Sequence, residues 1–365
     1  MVNTENARKL DKIHSYPAKY TIEMIEGYIK EYSSVNDIVY DPFVGCGTTL
    51  LASNINGRIA YGSDINGIAI LISKFKITPY NNKDILGLNT FINTLNQKCK
   101  TETNCLKKHY VSINHWFNNE AIDALSLLRQ IMENEFKNND RALLFAKVVF
   151  SSILTSVSNQ ESNTRYAAKD KKITFDDVIN IYIKKFRQIL EIISSIKYND
   201  CVFKSAAVQI NSKASSKNFG ENSVDLIVTS PPYPNTYDYY LYHKHRMLWL
   251  DYAVEDVMEQ EIGSRREFSS LKKPSEKFTQ DMTEVFLDCD KMLKAGKYAV
   301  IIIGDGQIRG KKYDSKENII KIAKDINWRL VSESCTSLDE TSRTFQQSFR
   351  TKGKLEHVLI FQKEV

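Results

Sequence analysis

Six cysteines are all that this 365-residue chain contains, and no two of them form a C-x-x-C pair. Cys46, Cys99, Cys105, Cys201, Cys289 and Cys335 are too scattered for a disulfide framework or a zinc pattern, so a reducing cytoplasm is the expected setting. No apolar run is long enough to span a bilayer. The opening residues, M-V-N-T-E-N-A-R-K-L, lack the apolar region of a signal peptide, so no membrane partner is expected. The six histidines offer no clamp for a metal. Even His243 and His245 are two apart and would face different ways on a helix, so no metal is expected. Internal repeats and low-complexity tracts are absent as well. Charge is only mildly one-sided, a formal +6 with a pI near 8.7, which admits a phosphate-bearing partner without requiring one. What remains is an ordinary globular balance, 42% hydrophobic and 26% charged, enough for one large domain or two smaller ones.

Two stretches stand out. In V-D-L-I-V-T-S-P-P-Y, residues 224–233, a β-branched apolar run reads as a buried strand and stops at two prolines, which can neither extend a ladder nor enter a helix interior. The chain is thereby stiffened at the strand's carboxyl end, where open α/β sheets bind ligands. The corner offers the Ser230 hydroxyl and the Pro231 carbonyl as acceptors for one amino group, and after Pro232 the Tyr233 ring as a stacking surface. Taken alone, such a corner reads as an ordinary strand-ending turn.

The other stretch is D-P-F-V-G-C-G-T-T, Asp41 to Thr49, between the strand Ile38–Tyr40 and the helix opening at Leu50. Strand, glycine loop and helix in that order form the cofactor turn of a doubly wound sheet, the glycines letting backbone approach ligand. A second strand, Ile59–Gly62, leads to Ser63-Asp64. An acid there fits a ribose-hydroxyl acceptor about 20 residues beyond the loop, and fits equally a helix N-cap before Asn66-Gly67.

Together the two stretches resemble the signature motifs of the DNA amino-methyltransferases, which move a methyl group from S-adenosyl-L-methionine to an exocyclic base nitrogen. His14 to Tyr20, H-S-Y-P-A-K-Y, resembles the family's short cofactor segment. The resemblance covers both ends of the chain and not its middle. It implies an α/β fold, a doubly wound, mostly parallel seven-stranded sheet with one antiparallel strand near its edge. It implies that the cofactor is held by Tyr16, Pro17 and Ala18; by Asp41, Pro42, Phe43, Gly45, Gly47, Thr48 and Thr49; by Asp64 and Ile65; by Ser205 and Ala206 against the adenine; and by Ser230. Ser230, Pro231, Pro232 and Tyr233 become the catalytic corner. Two acceptors gripping the amino hydrogens free a nitrogen lone pair otherwise delocalised into the base, for direct in-line attack from about 3 to 3.5 Å. The base has to be flipped out of double-stranded DNA. Serine rather than aspartate at the motif's first position favours cytosine N4 over adenine N6, by analogy within the family. A cognate restriction endonuclease or a specificity subunit is the further partner that the resemblance suggests.

Residues 81–198 break the strand–helix alternation and read as a helical insertion, with helices at 117–131, 141–157 and 173–196; residues 1–80 and 199–365 form the catalytic domain. The insertion is the candidate target-recognition region. Its polar loop, Ser158–Lys172, carries Arg165, Tyr166 and Lys169, cations around an aromatic that suit nucleic acid and equally suit any exposed loop. Arg265 and Arg266, in a second basic loop at 261–274, are further DNA-binding candidates. The sheet is expected to resume at Cys201–Lys204, with Ser205-Ala206 at that strand's carboxyl end. A helix over 276–294 ending at Gly296 follows. Strands are expected at 298–303, 328–334 and 357–361, the last two forming a hairpin through the basic segment 341–354. Two other readings remain: a tRNA amino-methyltransferase with a similar corner, and a catalytically silent nucleic-acid-binding module. A nicotinamide oxidoreductase fits less well, because the third glycine of G-x-G-x-x-G is missing.

Overall fold

The computed structural model describes residues 4–102, 105–163, 165–337 and 355–365. The described strands are, in chain order, β1 (Ile38–Asp41), β2 (Ile59–Asp64), β3 (Gln160–Ser162), β4 (Arg165–Ala168), β5 (Ala206–Gln209), β6 (Val224–Thr229), β7 (Leu293–Gly304), β8 (Gly306–Ile308), β9 (Lys311–Tyr313), β10 (Trp328–Ser337) and β11 (Leu355–Lys363). Seven form one sheet in the order β10-β11-β7-β6-β1-β2-β5. Its ladders from β7 to β5 are parallel; β11 runs antiparallel to both β7 and β10. This is the mostly parallel α/β sheet expected from the sequence.

Central strands are covered on both faces, as a parallel sheet requires. Along β7, Val300 and Ile302 join one core while Ala299, Ile301 and Ile303 join the other. The second core is closed by helices Glu276–Met292 and Ser315–Asp325, through Phe278, Met282, Phe286 and Ile319. The first holds the helix Gly67–Ile77 and the insertion, whose long helices are Asn82–Thr101, Asn119–Glu135, Asp140–Ile153 and Phe175–Ser194. Phe75 and Phe145, 5.7 Å apart between ring centroids, join the two. The insertion thus shares its apolar core with one face of the sheet.

Four expectations change. Asp200–Lys204 is a short helix rather than a strand, with Phe203 65% exposed, and the strand is β5, five residues later than the expected Cys201–Lys204. Ser158–Lys172 contains the antiparallel pair β3–β4. Leu293–Gly296 opens β7 instead of ending a helix, although Gly296 does take a left-handed φ of +73°. Asn82–Thr101, closed by an Asn81–Asp84 capping box, is a helix the apolar pattern did not reveal. The segment 341–354, with Arg343, Arg350, Lys352 and Lys354, lies outside the described residues.

Candidate functional site

The carboxyl ends of β1, β2, β5 and β6 open on one cleft of about 890 Å3, its mouth included. Residues 41–49 and the Ser230–Tyr233 corner meet there because β1 lies between β2 and β6, with Val39 opposite Leu226 and Asp41 opposite Gly62. Tyr16, Ala18, Phe43, Gly45, Thr48, Asp64, Ile65, Ser230 and Pro232 all line it.

The glycine loop is set from beneath. Asp41, fully buried, accepts hydrogen bonds from the Phe43 amide (3.0 Å), the Thr229 hydroxyl (2.7 Å) and the Tyr20 hydroxyl (3.2 Å). It therefore ties β1 to β6 and to the N-terminal segment and does not face the cleft. Thr49 lies in the same buried layer, its hydroxyl against that of Tyr20. Pro42 gives its carbonyl to the hydroxyls of Ser63 and Ser212. Gly47 sits at φ +77°, and a Cβ there would lie 2.8 Å from the Ser73 backbone, so glycine is demanded by helix–helix contact. Pro17, Pro42, Gly47 and Thr49 do not line the cleft, and Pro42, Gly47 and Thr49 support its wall from behind.

Asp64 faces the cleft. Its Oδ2 accepts from the Gly45 amide at 3.0 Å and its Oδ1 from the Asn66 amide at 2.9 Å. The N-cap of the following helix is Asn66, which accepts from the Ile68 amide. Burial pushes the Asp64 carboxyl up to about 6, against the lowering effect of those two amides, and it makes no ion pair among the described residues. Each oxygen keeps a lone pair for a further donor.

Tyr16 closes one side, stacked on His243 at 4.8 Å and on Tyr239 at 6.1 Å. The N-terminal segment is clamped over the loop by Asp11, buried at 5% exposure. Asp11 takes the ammonium groups of Lys19 (2.6 Å) and Lys76 (2.8 Å) and the Thr48 hydroxyl (2.8 Å). Burial opposes ionisation of Asp11, but Lys76 and Lys19 outweigh it and hold its carboxyl well below the usual range.

Ser230 and Pro232 line the cleft, and Tyr233 stands behind them, 9% exposed. Its hydroxyl donates to Glu356 at 2.6 Å and also faces the Ser230 hydroxyl. Gly304 makes the ring's seat: a Cβ there would lie 2.6 Å from it.

Ser205 and Ala206 must be corrected. Ser205 ends the short helix before β5 and Ala206 opens the strand, pairing with Tyr61, so both lie at the opposite end of the sheet from the cleft. The Ser205 hydroxyl is spent on the Ala60 amide (2.9 Å), the Asn54 side chain (2.8 Å) and the Cys201 carbonyl (2.9 Å). The carboxyl end of β5 delivers Asn211 and Ser212 instead, and both line the cleft.

Sequence reasoning also missed Tyr239, Gln260, Glu261 and Ile262. Glu261 is buried and caps the helix Tyr239–Trp249, accepting from the Tyr239 (2.7 Å) and Tyr240 (2.9 Å) amides. Burial pushes its carboxyl up to about 8. No spacing signal joins residue 261 to residue 239; folding alone does.

The proposed DNA-binding residues are spread out. Arg165 is exposed and pairs with Glu161 at 3.0 Å. The Tyr166 ring packs on Trp116 (4.4 Å) and stacks on His245 (5.4 Å). Lys169 is exposed, beyond β4. Arg265 and Arg266, half-buried, lie nearer the corner, where the Arg266 amide donates to Asp238 at 3.0 Å.

The strand order and the cleft at its carboxyl edge define the class: this is the Rossmann-like α/β fold of SAM-dependent methyltransferases. The chain belongs to the DNA methylase family of N6 and N4 amino-methyltransferases, whose model matches residues 2–75 and 224–364, more than half of the chain. The unmatched stretch holds the insertion and β5. Type II methyltransferase M.MvaI of Kocuria varians is 26% identical over 284 residues, covering 70% of this chain and 60% of that protein. Type II methyltransferase M.MjaII of Methanocaldococcus jannaschii is 22% identical over an alignment of 409 residues, covering 87% and 76%. The chain thus spans about 60% of the length of the Kocuria relative. A solved SAM-dependent methyltransferase of Methanosarcina mazei aligns over 92% of this chain and 97% of its own, at 10% identity with a TM-score of 0.36. The fold assignment rests on the strand order rather than on that likeness. DNA methylases of this family use S-adenosylmethionine. Among the described residues no helix is long and apolar enough to cross a membrane.

Proposed function

We propose that this chain methylates an exocyclic amino group of a base in double-stranded DNA, with cytosine N4 preferred to adenine N6. The observation that carries the reading is the common cleft, which sets Asp64 and the glycine loop opposite Ser230 at the ends of adjacent strands.

The lining fits S-adenosylmethionine. Asp64 keeps acceptor capacity for ribose hydroxyls, and Phe43, Ile65, Val257 and Ile262 give apolar surface for a planar base. Tyr16, Ala18, Lys19 and Tyr20 would border the methionine end, as the family's N-terminal segment does. The cofactor, when bound, supplies a methyl group activated by a sulfonium. Ser230 and the Pro231 carbonyl would accept the target's amino hydrogens. Pro231 and Pro232 hold those acceptors still, and Glu356 and Gly304 hold Tyr233 behind them. Tyr233, held behind Ser230 and Pro232, would come against the flipped base. The wall of insertion and hairpin β3–β4, with Arg165 and Lys169, is the proposed target-reading surface. Arg265 and Arg266 would contact the strand nearer the corner. A restriction endonuclease acting on the same sequence is the natural partner, since the relatives are type II methyltransferases.

Incubation with methyl-labelled S-adenosylmethionine and either duplex DNA or tRNA, followed by nucleoside mass spectrometry, tests the reading. N4-methylcytosine in DNA is expected. N6-methyladenine would overturn the base preference, and label in tRNA alone would overturn the substrate.

A further inference from the structure

One element beside the corner has no part in the reaction above. Directly after β7 the chain makes the hairpin β8–β9, Gly306 to Tyr313, with Arg309 and Gly310 as its two turn residues at φ +50° and +77°. Positive φ at both positions is the type I′ turn, where Asn-Gly is the usual pair and an arginine is strained. The hairpin is firmly seated. Ile308 and Tyr313 are buried; the Tyr313 ring meets Phe278 edge-on at 5.6 Å, and its hydroxyl lies 2.7 Å from that of Thr279. Asn235 donates to the Gln307 carbonyl at 2.7 Å. A Cβ on Gly306 would fall 2.5 Å from the Pro234 ring, so the hairpin's root rests on the segment leaving the Pro-Pro corner.

Its outer surface carries Gln307, Arg309, Lys311 and Lys312, all exposed, with no acid between 306 and 313. Arg309 folds across to the backbone carbonyls of Lys272 and Lys273, which brings a second cationic loop alongside. Lys312 pairs with Asp305 and Lys273 with Glu267, both at 3.2 Å. Lys311 makes no ion pair among the described residues.

We propose that this hairpin is a DNA-backbone clamp: Arg309 and Lys311, with Lys272 beside them, grip phosphates flanking the base presented to Ser230. The proposal rests on the methyltransferase reading and deepens it by naming the element that fixes the duplex at the corner. Cations on a rigid mount bind phosphates with little ordering cost and set register without reading sequence. Its position follows from Pro234 and Asn235, which couple the hairpin to the corner itself.

The test is fluorescence anisotropy of a labelled duplex between about 50 and 200 mM salt, the range over which phosphate contacts show. Wild type is compared with Arg309→Gln/Lys311→Gln and with a charge-matched control, Lys321→Gln/Lys324→Gln, on the outer helix Ser315–Asp325. The hairpin variant is expected to lose about 2 from the slope of log K against log salt, at roughly 0.9 per phosphate, and about tenfold or more in affinity. The control keeps the wild-type slope, and both variants keep wild-type S-adenosylmethionine affinity by calorimetry, which shows them folded. A wild-type slope in the hairpin variant, or equal losses in both variants, overturns the clamp while DNA methylation by wild type leaves the enzyme reading standing. A wild type that binds no duplex overturns both.

Discussion

The two ends of the sheet treat polar side chains differently. At the amino end Ser205, Arg58 and Asp225 are each tied up internally. Ser205 makes three hydrogen bonds, Arg58 donates to the Asn56 and Ser33 carbonyls at 2.6 Å, and Asp225 takes the Ile38 amide (3.0 Å) and the Lys294 ammonium (2.8 Å). At the carboxyl end Asp64 and Glu261 accept from backbone amides, and neither makes an ion pair among the described residues. Burial pushes all three acids up, yet the Ile38 amide and Lys294 leave Asp225 below the usual carboxylate value, while Asp64 stays at about 6 and Glu261 at about 8. Asp41 and Asp11 show that paired groups also hold the carboxyl end together, but Asp64 and Glu261 stand out there as raised carboxyls in a cleft, the pattern expected of a functional site.

The contrast can be broken at matched residues. Ser230→Ala removes an acceptor from the proposed corner, and methyl transfer should fall by about 10²–10³-fold, the usual loss for one oriented hydrogen-bonding group at a reacting centre. Its melting temperature should barely move. Ser205→Ala should do the reverse, keeping transfer within about twofold while losing roughly 1–3 kcal/mol in urea unfolding, because it orphans a buried amide and its neighbours. Glu261 gives a smaller, pH-dependent effect. Its folded-state pKa lies above its unfolded value, so the protonated form is favoured in the native protein. Stability present below about 4.5 is lost as pH rises through about 8. Melting curves should therefore show wild type losing stability relative to Glu261→Gln from pH 6 to pH 9; a constant difference would remove Glu261 from the account.

How legible the sequence was depended on how each element is buried. Strands β1, β2, β6 and β7 are covered on both faces and show as apolar runs. Edge strand β5 buries only Ala207, so Ala-Ala-Val-Gln carries almost no signal, and the nearby Cys-Val-Phe drew the assignment five residues too early. That one slip moved Ser205 to the wrong end of the sheet and hid Asn211 and Ser212. In the candidate site, residues whose identity the backbone dictates were readable in order: Gly45, Asp64 and the Ser-Pro-Pro corner. Glu261 and Tyr239 were not, since they reach the cleft through a loop–helix contact with no periodicity. Hairpin β8–β9 escaped because its turn is Arg-Gly instead of Asn-Gly.

The central claim is that one end of this sheet was kept free for a cofactor. Calorimetric titration of S-adenosylmethionine into Asp64→Ala and Asp225→Ala, two buried-strand acids at opposite ends, tests it most directly. Loss of two hydrogen bonds to a charged acceptor predicts an affinity about 10–100-fold weaker for Asp64→Ala. Asp225→Ala, though less stable, should bind as wild type does, and wild-type affinity should fall as pH drops below about 6, where Asp64 takes up its proton. Equal affinities in both variants, or a loss confined to Asp225→Ala, would contradict the account.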